Sequence, residues 1–133
     1  MRRLLSVVVS VYNEEEALAQ FYQVTEGILN TIFWDYELVF VNDGSRDQSL
    51  PILNHLADSN PKVKVVSFSR NFGHEAAMIA GIDYSQGDGI ICMDADLQHP
   101  PACIPEIIRR FEDGYEVINM DGLRIWHRQH FIS

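Results

Sequence analysis

Short, almost wholly apolar runs alternate along this chain with longer stretches in which apolar residues recur every three or four positions. Leu4–Val11 is nearly all apolar and too short for a helix, so it reads as a strand covered on both faces. Leu18, Phe21, Tyr22, Thr25, Ile28, Leu29 and Ile32 then follow at helical spacing. Tyr36–Val41 is a second buried strand, and Leu50, Leu53, Leu56 and Ala57 mark a helix over Asp47–Ser59. Val63–Phe68 is a third strand, and His74–Ser85 an Ala-rich helix. Ile90–Met93 is a fourth strand. Pro101–Glu112 opens on proline and carries a stripe of Ile104, Ile107, Ile108 and Phe111, which predicts another helix. Val117–Met120 fits a fifth strand, whereas Asp121–Ser133 follows neither period and is assigned no element.

Strands that are apolar throughout and alternate with helices predict an α/β fold: a mostly parallel, Rossmann-like sheet flanked by helices on both faces. In such sheets ligands bind beyond the carboxyl ends of the strands. Polar residues of chemical interest should therefore follow each strand. They do, as Tyr12-Asn13-Glu14-Glu15, Asn42-Asp43-Gly44-Ser45, Ser69-Arg70-Asn71-Phe72-Gly73 and Asp94-Ala95-Asp96-Leu97-Gln98-His99.

Composition narrows the function. The 133 residues suit one domain, and 47% hydrophobic with 22% charged residues is an ordinary globular balance. Ten basic against 19 acidic residues give a formal charge of −9, which argues against a nucleic-acid surface. Cys92 and Cys103 have no metal-ligand spacing and read as reduced residues of a cytoplasmic protein. No apolar run reaches membrane-spanning length, and the Met1-Arg2-Arg3 start is not followed by a cleavage site, so neither a transmembrane helix nor a signal peptide is expected.

Asp94-Ala95-Asp96 carries the clearest chemistry. Two carboxylates one residue apart suit a hard divalent cation shared with substrate phosphates, and Gln98 can add an oxygen. Without a cation the two acids repel. The alternative is a solvated acidic turn capping the next helix. Gly44 suits a positive φ in a tight turn, with Ser45 or Asp47 as helix cap, and Asp43 either serves that turn or accepts hydrogen bonds from a nucleoside. Tyr12 either stacks on a base or covers the core edge. Glu14 is a ligand or a first-turn acid, and Asn13 a candidate cap. Arg70 either grips phosphate or neutralises nearby acids. His74 and His99 are candidates for metal or phosphate contact, against the reading of polar loop residues.

With these residues laid out, the chain resembles the family 2 glycosyltransferases, closest to the dolichol-phosphate mannose synthase and polyprenyl-phosphate sugar transferase branch. The resemblance rests on Val7-Val8-Val9-Ser10-Val11-Tyr12-Asn13-Glu14-Glu15, Val41-Asn42-Asp43-Gly44-Ser45, Ser69-Arg70-Asn71-Phe72-Gly73 and Asp94-Ala95-Asp96-Leu97-Gln98-His99-Pro100-Pro101, and runs from about Leu4 to about Met120. It implies a GT-A fold binding a nucleotide sugar, either a UDP-hexose or GDP-mannose. Ser10, Val11, Tyr12 and Glu14 would line the nucleoside, with Val41 and Asp43 beside the base. Asp94 and Ala95 would meet ribose and diphosphate. Asp96, with Asp94 and Gln98, would hold Mg2+ or Mn2+. The implied reaction is inverting transfer of a hexosyl group to a polyprenyl phosphate at the cytoplasmic membrane face. Ser10 stands where the family often has Pro, and Asn42 where it often has Asp.

The resemblance implies a partial nucleotide-sugar-binding domain over 1–120 and an unmatched tail over 121–133. A truncated sheet edge would favour homo-oligomers. The rival readings are an inactive fragment and an acid-cluster phospho-acceptor or phosphatase domain. The latter needs a catalytic lysine after a later strand, and the only lysines are Lys62 and Lys64.

Overall fold

A computed structural model of the chain describes residues 3–95, 101–112, 117–120 and 123–127. The strands are β1 (Leu4–Val11), β2 (Asp35–Asn42), β3 (Val63–Ser67), β4 (Gly89–Asp94), β5 (Val117–Met120) and β6 (Leu123–His127). The helices are α1 (Leu18–Leu29), α2 (Ser49–Ser59), α3 (His74–Tyr84) and α4 (Ile104–Glu112), the last preceded by a 3-10 turn over Pro101–Cys103. The sheet order is β3-β2-β1-β4-β6-β5. The first four strands in chain order pair in parallel, whereas β6 runs antiparallel to both β4 and β5.

Burial on both faces explains why the central strands are apolar throughout. Leu5, Val7, Val9 and Val11 of β1 share one core with Phe21 of α1, Leu53 of α2 and Ile107 of α4. Val8, on the opposite side, packs with Val39, Val41, Ile90 and Ala77 of α3. This second layer is thin because α3 lies very close to the sheet. A Cβ on Gly81 would sit 2.3 Å from Val8 Cγ1, so only glycine permits that approach.

The sheet extends beyond the expected boundary at residue 120. Leu123–His127, from the stretch given no element, inserts between β4 and β5, with Ile91 opposite Ile125 and Ile125 opposite Ile118. Met120 pairs with Leu123, leaving two residues between partners, and those residues are Asp121-Gly122. That dipeptide is a strong signal for a two-residue hairpin and would have revealed β6.

The amino ends of the strands are tied by a buried polar knot. Ser6 Oγ donates to Glu37 Oε2 at 2.6 Å, the Gln86 N–H donates to the same oxygen at 2.6 Å, and the Gly87 N–H donates to Ser6 Oγ at 2.8 Å. Ser6 and Glu37 are buried, so each polar group there has a partner as burial requires.

Candidate functional site

Register places the carboxyl ends of three strands side by side: Ser10 lies opposite both Val41 of β2 and Asp94 of β4. The loops beyond them interlock. The N–H groups of Asn13, Glu14 and Glu15 donate to Ser45 Oγ, Ser49 Oγ and Asp47 Oδ2 at 3.0, 2.9 and 3.1 Å. In return the Arg46 N–H donates to Asn13 Oδ1 and the Gln48 N–H to Glu15 Oε2. Asn13 takes φ 52°, a conformation asparagine tolerates better than most residues. It is therefore a bracket between loops and not a helix cap, since α1 starts only after Ala17. Ser45 likewise serves the bracket, while Asp47 Oδ1 accepts the Ser49 N–H at the start of α2. Desolvation is the largest single influence and pushes the Asp47 carboxyl up, but hydrogen bonds from Ser49 and from the Glu15 N–H together outweigh it and hold the group below its ordinary range.

Asp43 and Gly44 lock the third loop against the second. Asp43 is 2% exposed. Its Oδ1 accepts the Phe72 N–H at 2.7 Å, and its Oδ2 accepts the Gly73 N–H at 3.0 Å and Asn71 Nδ2 at 3.1 Å. The Asn71 amide also reaches the Asp43 carbonyl at 3.2 Å. Gly44 has φ +70°, and a Cβ there would fall 2.2 Å from the Arg70 carbonyl carbon. Asn42 uses both ends of its amide, donating to Ser67 Oγ and accepting from the Ser45 N–H. An aspartate there could serve both only by taking the Ser67 hydroxyl as donor.

The loops enclose a cleft of about 460 Å³, within the range of small-molecule sites. Ser10, Tyr12, Glu14, Asp43, His74 and Asp94 all line it, so six of the expected residues meet in one place. Asn71 and Gly73 complete the lining. Tyr12 is 44% exposed, leaving an aromatic face open to a planar ligand. His74 Nε2 lies 2.7 Å from Asp94 Oδ1.

Other expected residues lie elsewhere. Val11 and Ala95 have their side chains in the larger core and Val41 in the smaller one beside α3, so none of the three side chains lines the cleft. Arg70 is exposed and stacks its guanidinium on Phe72, 4.6 Å from the ring centroid, outside the cleft lining. Asp96, Gln98 and His99 fall outside the described residues. Asn71 was not singled out in the sequence; its only signal was its place two residues before a glycine in a loop that follows a strand.

Among the described residues no cluster of three or more acidic, histidine or cysteine side chains could cage a metal, and no helix is long and apolar enough to cross a membrane. A full cage is not what Mg2+ or Mn2+ chemistry needs, since one or two carboxylates commonly share the ion with substrate phosphates. Asp94, a partly exposed carboxylate in the cleft, fits that pattern.

Comparison with known proteins follows the same line. The sequence profile described as "Glycosyl transferase family 2" matches residues 6–127. The uncharacterized glycosyltransferase YkcC of Bacillus subtilis is 49% identical over 113 residues, covering 85% of this chain and 35% of the relative. The bactoprenol glucosyl transferase of Shigella phage SfV is 43% identical over 114 residues, covering 86% and 37%. The chain thus spans little more than a third of the length of these curated relatives. Among solved structures, the mannosyltransferase PcManGT of Pyrobaculum calidifontis, in complex with GDP-Man and Mn2+, superposes with TM-score 0.75 at 17% identity, over 97% of this chain and 46% of that one. TarS 1-349 of S. aureus, in complex with UDP-GlcNAc, gives 0.62 at 23% identity, over 81% and 32%. At these identities the structural likeness speaks for the GT-A fold.

Proposed function

The chain belongs to glycosyl transferase family 2, and from that premise we propose that its cleft binds a nucleotide sugar together with a divalent cation, for transfer of the hexosyl group to a polyprenyl phosphate with inversion. The observation that carries this reading is the meeting of Ser10, Tyr12, Glu14, Asp43 and Asp94 in one cleft at the carboxyl ends of the strands. The relatives support the same chemistry: one is a bactoprenol glucosyl transferase, and the structural neighbours were captured with GDP-mannose or UDP-GlcNAc.

In this reading Tyr12 stacks on the base, while Ser10 and Glu14 meet the nucleoside. Asp43 has two oxygens already engaged by the third loop, so its main task is to hold that loop, with Oδ1 able to accept one further bond from the nucleoside. Asp94 and Asp96, with Gln98, would hold Mg2+ or Mn2+. When bound, the ion supplies charge neutralisation for the departing nucleoside diphosphate. A phosphate acceptor is already anionic, so no strong general base is required of this chain. The acceptor reaches the reading through relatives that are more than twice as long, and work at a cytoplasmic membrane face belongs to the same proposal.

Calorimetry with UDP-glucose, UDP-GlcNAc and GDP-mannose in the presence of Mn2+ tests the reading. Saturable, metal-dependent binding of at least one is expected, and Asp96→Ala should abolish the metal dependence. A folded chain that binds none of the three overturns it, and unchanged affinity in Asp96→Ala removes Asp96 from the metal site.

A further inference from the structure

The cleft contains one contact that the donor reading does not use. His74 Nε2 lies 2.7 Å from Asp94 Oδ1, with the histidine side chain 61% and the aspartate side chain 33% exposed. Among the described residues that carboxylate has no other hydrogen-bond partner. An exposed aspartate without a partner would sample several rotamers, whereas this contact selects one.

The histidine is itself held from behind. It is the first residue of α3 and follows Gly73, whose N–H is bound by Asp43 Oδ2. The Phe72 N–H before it is bound by Asp43 Oδ1, and the Gly73 carbonyl accepts the Ala77 N–H to begin the helix. The backbone on either side of His74 is therefore fixed, and the contact runs from the second loop through the third to the fourth.

We infer that His74 is a positioning residue: its Nε2–H donates to Asp94 Oδ1, sets the carboxylate rotamer, and leaves Oδ2 for the ligand. The inference rests on reading Asp94 as part of the donor site, and it gives Asp43 the task of aiming His74. Removing a hydrogen-bond partner of a metal-binding side chain typically weakens metal affinity about 10- to 100-fold.

The test pairs a binding cycle with a spectroscopic readout. Mn2+-dependent binding of UDP and GDP is measured by calorimetry for wild type, His74→Ala, His74→Gln, Asp94→Ala and the double variant His74→Ala/Asp94→Ala. His74→Ala should lose about 10-fold or more. His74→Gln, which can bring an N–H near the Nε2 position, should recover most of the loss. In the Asp94→Ala background the histidine change should cost nothing more, because the two act as one unit. An equal loss with and without Asp94 overturns the proposal, since His74 would then touch the ligand directly.

Independently of any nucleotide, proton–nitrogen NMR should show a His74 Nε2–H signal protected from rapid exchange in wild type and absent in Asp94→Ala. Its absence from wild type also overturns the proposal. A protected signal in a protein that binds neither nucleotide would sink the donor reading and leave the placement of Asp94 by His74 standing.

Discussion

Replacing Gly44 by alanine should break the lock between the second and third loops. The added Cβ would lie 2.2 Å from the Arg70 carbonyl carbon, 2.4 Å from the Asn71 nitrogen and 2.7 Å from Arg70 Cα. All three are backbone atoms, so no side chain can swing aside. Ordinary carbon contacts begin at about 3.5 Å, so the third loop must retreat by more than about 1 Å. That retreat pulls Asn71, Phe72 and Gly73 off the Asp43 carboxylate, where the bonds now measure 3.1, 2.7 and 3.0 Å. The left-handed conformation alone costs a non-glycine residue about 1–2 kcal/mol. Loosening charge-assisted bonds to a buried carboxylate adds roughly 1.5–3 kcal/mol. The expected loss is therefore about 3 kcal/mol or more, a large share of a typical 5–15 kcal/mol total. Urea unfolding reads it: with a slope of about 1.5 kcal/mol per molar, the midpoint falls by roughly 2 M. Gly27→Ala is the control, because that helical site is open and the change should stabilise by about 0.5–1 kcal/mol. A Gly44→Ala midpoint equal to wild type would refute the reasoning.

Three further outcomes are expected. Ser6→Ala strips a partner from the Gly87 N–H and from buried Glu37, so it should cost about 1–3 kcal/mol in urea unfolding. Nucleotide binding should be unchanged in Ser6→Ala, because the knot lies at the far end of the strands; a parallel loss of binding would contradict that separation. The Asp47 carboxyl is held below its ordinary value, so it stabilises the fold at and above the unfolded value near ~3.9 and loses that contribution as pH falls through the lower folded value. Asp47→Asn should therefore flatten the acid limb of the stability curve below about pH 4, and an unchanged limb would deny Asp47 that role. Burial pushes the Cys92 thiol up to about 11, so iodoacetamide at pH 8 should label it far more slowly than in the urea-unfolded chain. Equal rates would show the site to be open.

The strand framework was legible because β1, β2 and β4 are covered on both faces, which leaves runs such as Leu4–Val11 with no polar alternation to misread. The site was legible in outline for a related reason: polar loops follow buried strands only where the sheet edge meets a ligand or solvent. What sequence could not supply was the division of labour within each loop. Asn13 and Ser45 have cap-like chemistry, yet they bond across to each other's loops, a pairing set by the β1–β2 register. Val11, Val41 and Ala95 sit within the motifs but pack into the core: Val11 faces away from Ser10 because one residue along a strand reverses the face, whereas Val41, the register partner of Ser10, packs under α3. Arg70 reads in sequence as either a phosphate ligand or a neutraliser of nearby acids, while Phe72 two residues on offers it an aromatic face instead. Leu123–His127 shows no clean period because Arg124, Trp126 and His127 blur its alternation, although the dipeptide Asp121-Gly122 before it is a hairpin signal in sequence.

The position of β6 bears on the order in which the sheet can be completed. β5 precedes β6 in the chain but lies outside it, and β6 alone joins β5 to β4. As the chain leaves the ribosome, β1 to β4 can assemble in parallel while the outer edge of β4 stays open. That edge carries Asp94 at its end. It closes only when Leu123–His127 emerges, and β5 is then carried in with it. Of β2, β1 and β4, the three of the first four strands that end with a neighbour on each side, the one that presents Asp94 to the cleft is thus the last to gain both, and nascent chains halted before about residue 123 would expose it to pairing with other chains.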